Sequence, residues 1–391
     1  MALFVSHTSK RVKRRCVARP WPVTSEAHRY NRHTPARVLD SSCCSPFARS
    51  RPDNKPEETV DDVPLQRMKA VLCRTHGLPD TLELAELPTP QPGPGQVLIA
   101  VKAAGVNFPD TLIIQNKYQF KPALPFSPGG ELAGTITAIG PDVKGWTVGQ
   151  NVIAFTGWGA FAEEVVADAI KLIPIPPGVP FDIAASFVMT YGTSYHAVKD
   201  RAAIQPGETM LVLGAAGGVG LAAVEIGKAL GARVIAAAST DEKLAVCREH
   251  GADETINYST EDLRERIKAL TDGKGVDVVY DPVGGIYSEP ALRSMAWRGR
   301  FLVVGFANGE IPKIPLNLTL LKGSSIVGVF WGDYARREPK ANAKDLMELV
   351  GMMQAGTIKP LISARYSFAQ AAEALNAVMQ RKVTGKIVLM P

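Results

Sequence analysis

The stretch Gly214-Ala215-Ala216-Gly217-Gly218-Val219-Gly220 lies between a short apolar run, Thr209 to Leu213, and an alanine-rich segment that extends to Leu230. The apolar run has the length of a buried strand, and the alanine-rich segment has the length of a helix. A glycine-rich loop that leaves a strand and opens a helix inside a βαβ unit is typical of dinucleotide binding. The alternative is a tight turn that needs glycine for backbone reasons alone.

The positions within this loop match the dinucleotide fingerprint in part. Ala215 stands where the fingerprint has its first glycine, whereas Gly217 and Gly220 hold the second and third positions. We expect Gly217 to let the backbone approach the pyrophosphate and Gly220 to allow close packing of helix on strand. Gly218 and Val219 are then expected beside the phosphates, at the positive end of the helix.

Predicted strands and helices alternate from Gly207 to about residue 332. This alternation favours a parallel sheet with helices on both faces. Strands are expected over residues 209–213, 233–238, 255–257, 276–281 and 299–305. Helices are expected from the glycine-rich loop to residue 230 and over residues 242–250, 263–270 and 289–295.

Residues 68–190 have a different pattern. Short β-rich runs, over residues 68–74, 96–104 and 132–139, are separated by proline and glycine segments, which predicts an all-β or α+β barrel-like domain. The tail returns to a helix over residues 344–353 and ends in a strand over 385–389. We therefore predict one domain from residues 68–190 with 333–391, a second from residues 191–332, and a leader over residues 1–67.

The positive charge is concentrated in the leader. The chain carries a net charge of +6, and residues 1–50 contain ten Lys or Arg but only Glu26 and Asp40 as acids. The remaining chain is near neutral, which argues against nucleic acid as a partner. An Arg-rich, acid-poor N-terminus is typical of a mitochondrial transit peptide, and the alternative is an inert extension before Met68. The expected location is the mitochondrial matrix, or otherwise the cytoplasm.

The composition is that of a globular protein without a membrane span. Apolar residues make up 46% of the chain and charged residues 21%, and no apolar run has the roughly 18 residues that a membrane helix needs. Outside the leader only Cys73 and Cys247 remain, which indicates neither a disulfide framework nor a metal pair. A reducing compartment is therefore expected.

The end of the second strand of the βαβ unit bears on which dinucleotide is bound. Proteins that bind NAD usually place an acidic residue there for the ribose 2′-hydroxyl group, whereas this chain has Ala238. Ser239, Thr240 and Lys243 suit a 2′-phosphate, so the sequence favours NADPH. Asp241 and Glu242 lie close by and weaken this interpretation, and Lys243 has the alternative role of a solvated helix charge.

These features, in this order, resemble the medium-chain dehydrogenase/reductase superfamily, and most closely its quinone oxidoreductase (zeta-crystallin-like) branch. The resemblance spans residues 68–391. Besides the glycine-rich loop, it rests on GVNFPD (105–110), PGGELAG (128–134), DPVGG (281–285) and GKIVL (385–389). It implies a Rossmann doubly wound parallel sheet together with a GroES-like, β-barrel-type catalytic domain.

The resemblance also implies a site without zinc. The zinc alcohol dehydrogenases of this superfamily have a Cys ligand where this chain has Asn107 and a His ligand where it has Gly130, and their four-cysteine zinc lobe has no counterpart here. Catalytic zinc needs about three protein ligands. We therefore expect no metal, a structural role for Glu131, and hydride transfer that depends on the cofactor.

The resemblance places three catalytic candidates, Asn107, Asp110 and Tyr118, near the nicotinamide. In enoyl-thioester reductases of the superfamily, a tyrosine at the place of Tyr118 donates a proton or a hydrogen bond, and a phenol with a pKa near 10 stays protonated at neutral pH. The alternatives are a packing aromatic residue for Tyr118 and turn residues for Asn107 and Asp110. The resemblance also assigns to the cofactor Thr193, Tyr258, Gly305, Phe306, Phe330, Trp331 and Lys386.

Two histidines are not expected to be catalytic. His196 and His250 have no partner at metal spacing. His196 is expected to pack in a helix near the cleft, and His250, which precedes a Gly-Ala turn, is expected to be a surface cap.

Three functions remain open. The first is NADPH-dependent reduction of a quinone or an α,β-unsaturated carbonyl compound, a small-molecule electron acceptor bound between the two domains. The second is a mitochondrial 2-enoyl-thioester reductase, and the third is an NADPH-binding scaffold or RNA-binding protein with little turnover. The run GSSIVGVF (323–330) has the character of a sheet-edge strand, which relatives pair across a two-fold axis. A homodimer is therefore expected, with an interior strand as the alternative.

Overall fold

A computed structural model describes residues 66–391 of the protein. The predicted leader, residues 1–67, lies outside the described residues apart from its last two positions. The predictions of a transit peptide and of a mitochondrial location therefore stay predictions. No helix in the part of the chain that is described is long and apolar enough to cross a membrane.

The first part of the described chain is a mainly antiparallel β-domain, as predicted. A two-stranded ribbon pairs β1 with β2, and a larger sheet is built around the long, apolar β3. One short helix lies between β3 and β4, and two more follow the last of these strands and lead to the second domain. The elements are β1 (Arg67–Leu72), β2 (Glu83–Pro88), β3 (Gln96–Gly105), α1 (Phe108–Ile113), β4 (Glu131–Ile139), β5 (Asn151–Phe155), β6 (Glu164–Asp168), β7 (Ile173–Pro174), α2 (Phe181–Ala185) and α3 (Val188–Tyr195).

A parallel sheet of six strands forms the second domain within residues 209–328, which confirms the predicted Rossmann architecture. Short strands rich in valine, isoleucine and leucine alternate with helices. The strands are parallel, so the chain must cross back from the end of each strand to the start of the next. The elements are β8 (Thr209–Leu213), α4 (Gly218–Ala229), β9 (Arg233–Ala238), α5 (Asp241–Glu249), β10 (Glu254–Asn257), α6 (Leu263–Leu270), β11 (Val276–Asp281), α7 (Ser288–Arg293), β12 (Met295–Val303), α8 (Asn317–Lys322) and β13 (Ser325–Gly328).

The strand order of this sheet is β10-β9-β8-β11-β12-β13. The order reverses between β8 and β11, and the crevice outside the carboxyl ends of the strands at such a point is where open α/β sheets bind ligands. Within this sheet, one predicted boundary was wrong by several residues. β12 begins at Met295 and ends at Val303, whereas the sequence predicted a helix up to 295 and a strand over 299–305.

The tail of the chain completes the β-domain. After α9 (Trp331–Arg337) and α10 (Pro339–Gln354), the chain forms β14 (Ile362–Ser367), α11 (Ala371–Met379) and β15 (Lys386–Met390). β15 pairs with β14 in parallel and with β3 in antiparallel, so the last strand lies in the middle of the first domain. Residue 333, the predicted domain boundary, falls inside α9, and the division of the chain into these domains stays a prediction.

A buried carboxylate holds α3 against α4. Glu225 on α4 accepts hydrogen bonds from the Tyr191 hydroxyl on α3, at 2.6 Å, and from the backbone N–H of Lys359, at 3.1 Å. Its other oxygen lies 2.6 Å from Nδ1 of His250. His250 ends α5, as predicted, but its imidazole turns inward to Glu225, so the prediction of a surface position was wrong. His196 is buried and stacks on Tyr334.

Candidate active site

The glycine-rich loop joins β8 to α4 at the point where the strand order reverses. Gly217 is the residue before α4, and the first turn of α4 has neither a side-chain cap nor an acidic residue. The positive end of the helix is therefore suited to phosphate groups. A Cβ atom at Gly220 would lie 2.3 Å from the carbonyl oxygen of Gly214, so no side chain fits there. Ala215 is buried, and Gly218 and Val219 are half-buried in the first turn.

The two acidic residues that weakened the NADPH prediction, Asp241 and Glu242, have different surroundings at the end of β9. Ala238 is buried at the end of the strand, and no carboxylate replaces it there. Asp241 accepts a hydrogen bond from the Asn257 side chain at 2.8 Å, which turns its carboxylate toward β10. Glu242 is exposed on the first turn of α5.

A basic group that sequence reasoning missed lies beside Lys243. The Lys243 ammonium donates to the backbone carbonyl of Arg381 at 3.0 Å, and the Arg381 guanidinium donates to the Asn308 side chain at 2.8 Å. Burial raises the pKa of Tyr258 to about 12, while the Arg381 charge and the Ser239 side chain act in the opposite direction. Ser239 and Arg381 therefore lie near Tyr258, and Lys243 contacts Arg381, whereas a shared cofactor role for these residues stays a prediction. Arg381 joins them from the loop before β15.

Four polar side chains are buried together where α1, β4 and β15 meet; we call them the buried polar cluster (Asn107, Asp110, Glu131 and Lys386). Asn107 immediately precedes α1, and its backbone N–H donates to Asp110 Oδ2 at 2.7 Å. Its side-chain amide donates to Glu131 Oε1 at 2.8 Å. Asn107 and Asp110, two of the three catalytic candidates, therefore stabilise the start of α1.

Lys386 is the cation of this cluster. Its ammonium donates to the Val106 carbonyl at 2.8 Å, to Asn107 Oδ1 at 2.6 Å and to Glu131 Oε1 at 3.0 Å. The second oxygen of Glu131 accepts the backbone N–H of Met189 at 2.8 Å. Lys386 was predicted as a cofactor residue. Its alkyl chain does lie against Gly218 of the glycine-rich loop, but its charge points into the cluster.

Two groups in this region have raised pKa values. Burial raises the pKa of Asp110 to about 7; the N–H groups of Asn107 and Gly130 and the Lys386 charge oppose this shift, and the Glu131 charge adds to it. Tyr118 is half-buried. Burial, and then the Asp110 charge, raise its pKa above the usual value for tyrosine. The Tyr118 phenol therefore remains a hydrogen-bond donor.

Aromatic side chains from both domains meet beside Tyr118. The Tyr118 ring lies 5.7 Å from Phe120, which sequence reasoning missed, and Phe120 stacks on Phe330 at 6.1 Å. Trp331 is buried, with its ring edge-on to Phe155 at 5.0 Å, and it packs against Gly192 of α3. We call Tyr118, Phe120 and Phe330 the aromatic wall.

The remaining predicted cofactor residues lie on α3 and shortly after β12. Gly305 and Phe306 follow β12 at the carboxyl edge of the sheet, and Phe306 is partly exposed. Thr193 lies half-buried on α3. The assignment of these residues to a cofactor stays a prediction.

Comparison with known proteins agrees with this geometry. Residues 93–177 match the family described as "Alcohol dehydrogenase GroES-like domain", and residues 218–350 match "Zinc-binding dehydrogenase". A quinone oxidoreductase-like protein 2 homolog from Nematostella vectensis is 38% identical over 361 residues, covering 91% of this chain and 97% of the relative. Quinone oxidoreductase-like protein 2 from Mus musculus is 40% identical over 323 residues, covering 82% and 91%.

A solved structure gives the same result. The quinone oxidoreductase of Escherichia coli, complexed with NADPH, is 30% identical, has a TM-score of 0.78, and is covered completely by 83% of this chain. Fold and site together define a two-domain oxidoreductase with a Rossmann and a GroES-like domain. The chain belongs to the medium-chain dehydrogenase/reductase superfamily and, within it, to the quinone oxidoreductase family.

The side chains present do not fit the zinc that one family description names. Among residues 66–391, no group of three or more His, Cys, Asp or Glu side chains is placed to hold a metal ion. In the buried polar cluster, the oxygen of Asn107 and one oxygen of Glu131 already accept hydrogen bonds from the Lys386 ammonium. Zinc would have to displace this cation and still find about three donors.

The buried carboxyl group of Asp110 leads to a pH prediction. Its pKa of about 7 in the folded protein exceeds the value in an unfolded chain, about 3.9, so the folded state binds this proton more tightly. The stability that the proton contributes is lost as pH rises between about 4 and 7. Asp110→Asn removes this titration. Relative to wild type, its free energy of unfolding should therefore rise across that range, by on the order of 1–4 kcal/mol.

Urea unfolding at several pH values measures this difference. Asp142→Asn is the matched control, because the Asp142 side chain is exposed. A difference between Asp110→Asn and wild type that stays constant with pH would show that Asp110 does not titrate in this range.

Proposed function

We propose that the protein is an NADPH-dependent, zinc-independent reductase that transfers a hydride to a quinone or an α,β-unsaturated carbonyl compound. The observation that carries the proposal is the presence of two features in one fold. The start of α4 is an uncapped helix terminus with basic side chains nearby, and Tyr118 is a protonated phenol within an aromatic wall. A donor set for zinc does not occur among the described residues.

The chain's own residues suit NADPH at three points. The start of α4 would hold the pyrophosphate. Ser239, Lys243 and Arg381 would hold the 2′-phosphate, where Ala238 leaves out the carboxylate that favours NADH. Thr193 would contact the nicotinamide side. NADPH supplies the hydride when it is bound. The NADPH complex of the Escherichia coli relative supports this assignment.

The aromatic wall favours a flat, apolar acceptor. Phe120 and Phe330 offer ring faces from the two domains, and a planar quinone would stack on them. We assign to Tyr118 the hydrogen bond to the acceptor's carbonyl oxygen, because its raised pKa keeps the phenol protonated. Reduction of a quinone then adds one hydride from the cofactor and one proton at the oxygen.

The first test is NADPH oxidation by the full chain with three acceptors, namely a naphthoquinone, an α,β-unsaturated ketone and a trans-2-enoyl-CoA, with NADH in parallel. We expect turnover with the quinone or the ketone. Tyr118→Phe should lower kcat about 10²-fold, the usual contribution of a general acid, and leave the Kd for NADPH unchanged.

Other results point to the other functions. Turnover of the thioester alone would favour a 2-enoyl-thioester reductase. Binding of NADPH without turnover of any acceptor would contradict both reductases and favour a scaffold.

The cofactor preference has its own test in Ala238→Asp. A carboxylate at the end of β9 would repel a 2′-phosphate and accept the 2′-hydroxyl of NADH. We expect the ratio of NADH to NADPH affinity, measured by fluorescence titration, to rise at least about 10-fold, or 1.4 kcal/mol. Ala245→Asp on the exposed face of α5 adds the same charge and should leave the ratio unchanged. An unchanged ratio in Ala238→Asp would contradict the placement of the 2′-phosphate.

We also propose that the protein is a homodimer. β13 is the edge strand of the parallel sheet, Ile326 on it is 40% exposed, and Trp297 nearby on β12 is 70% exposed. An open edge with exposed apolar side chains is suited to pairing with a second copy. Ile326→Lys should halve the mass measured by light scattering after size exclusion. Ile170→Lys, at a side chain 93% exposed on the β-domain, should not. A wild-type protein of monomer mass would refute the dimer.

A further inference from the structure

The buried polar cluster contains a charge that the proposed chemistry does not yet use. Lys386 is 5% exposed and Glu131 is fully buried, so both ionised groups are removed from water. A buried charge is costly unless it is paired and hydrogen-bonded. A lysine at such a position is therefore expected to have a specific role.

We propose that Lys386 is a positioning residue for the proposed hydride transfer: its ammonium is the internal cation that holds Asn107 and Glu131 in place beside the cofactor loop. This inference rests on the proposed function. In this proposal the Lys386 ammonium orients the surrounding polar groups. The donor atoms present do not suit a metal ion in that role.

The Lys386 ammonium, at the centre of the cluster, uses all of its hydrogen-bond donors. An ammonium has three N–H donors, and Lys386 has three acceptors within 3.0 Å, from Val106, Asn107 and Glu131. The oxygen of the Asn107 amide therefore faces Lys386, and its NH₂ group faces Glu131. Each partner is fixed by two others, so the start of α1 has one orientation.

The same residue is attached to the glycine-rich loop. Gly385 donates its N–H to the Ala216 carbonyl at 2.8 Å, and it forms a parallel bridge with Gly217. Gly385 has a positive φ of 63°, and a Cβ atom there would lie 2.6 Å from the Leu361 carbonyl oxygen, so the position needs glycine. The next residue, Lys386, then spans from the phosphate end of α4 to the start of α1. It thereby fixes the distance between the cofactor loop and the segment that carries Tyr118.

Two variants separate an effect on the geometry of the site from an effect on stability. One removes the Lys386 charge alone, and the other removes both charges of the Lys386–Glu131 pair. Lys386→Met keeps the alkyl chain but leaves Glu131 buried without a counter-ion, so Tm should fall. Lys386→Met combined with Glu131→Gln removes both charges, so most of the Tm should return. If Lys386 positions the site, kcat should be reduced about 10²-fold in both variants, because misplacement by about 1 Å has that effect. The KM for NADPH should change less than about 3-fold.

Lys171→Met is the control, because it removes a lysine from an exposed ion pair with Asp168 and should change neither Tm nor kcat. Recovery of both Tm and kcat in the double variant would reduce Lys386 to a structural residue and overturn the proposal. A kcat within 2-fold of wild type in Lys386→Met would overturn it as well.

A binding measurement keeps the proposal testable if no acceptor is reduced. The fluorescence of bound NADPH reports the surroundings of the nicotinamide ring and needs no turnover. In the double variant, we expect NADPH to bind with a Kd within about 3-fold of wild type but with a loss of its emission enhancement. Unchanged emission would overturn the positioning role, whereas absence of turnover in wild type would overturn only the proposed reductase.

Discussion

The ion pair between Lys386 and Glu131 is the contact on which the arrangement of the site depends. The two residues are 255 positions apart and open the strands β15 and β4. Glu131 also accepts hydrogen bonds from Asn107, at the start of α1, and from Met189, at the start of α3. A buried ion pair adds little net stability compared with apolar packing. Its effect here is on geometry, because charged partners with satisfied hydrogen bonds tolerate few alternative positions.

This contact explains why the end of the chain returns to the first domain. β15 lies between β14 and β3, so the β-domain closes only after the Rossmann domain is complete. Gly385 then brings the new strand against the glycine-rich loop. The cofactor loop and the buried polar cluster are therefore parts of one rigid connection. The core supports this, since Ala103 and Ile153 of the β-domain share one apolar cluster with Met210 of the parallel sheet.

Local sequence signals predicted the fold and the phosphate end of the site. Gly220 is required because the carbonyl of Gly214 leaves no space for a side chain, and β8 is a short apolar run. Both features leave a local pattern in the sequence. The start of β12 left none. Its first residues are fixed by pairing with β11, where the register shifts between Val276 and Val278.

Contacts between distant segments explain why the sequence analysis missed or misplaced the other residues of the site. Arg381 meets Lys243 across 138 residues, and Phe120 meets Phe330 across more than 200, so neither could be assigned from neighbouring sequence. His250 looked like an exposed cap because its partner, Glu225, lies on another helix. The family resemblance places Asn107 and Asp110 near the nicotinamide, and this stays a prediction. It did not indicate that the Lys386 ammonium would point away from the glycine-rich loop and into the buried polar cluster.

A lysine in place of a metal also restricts the chemistry. A divalent ion polarises a carbonyl group and lowers the pKa of a bound hydroxyl or water. The Lys386 ammonium carries one charge, and its three donors are already used within the protein. It therefore orients its neighbours without activating a substrate. This agrees with the proposed function, in which the acceptor is electron-poor on its own and receives only a hydrogen bond from Tyr118. Quinones and conjugated enones meet that requirement, whereas an unactivated alcohol or ketone does not.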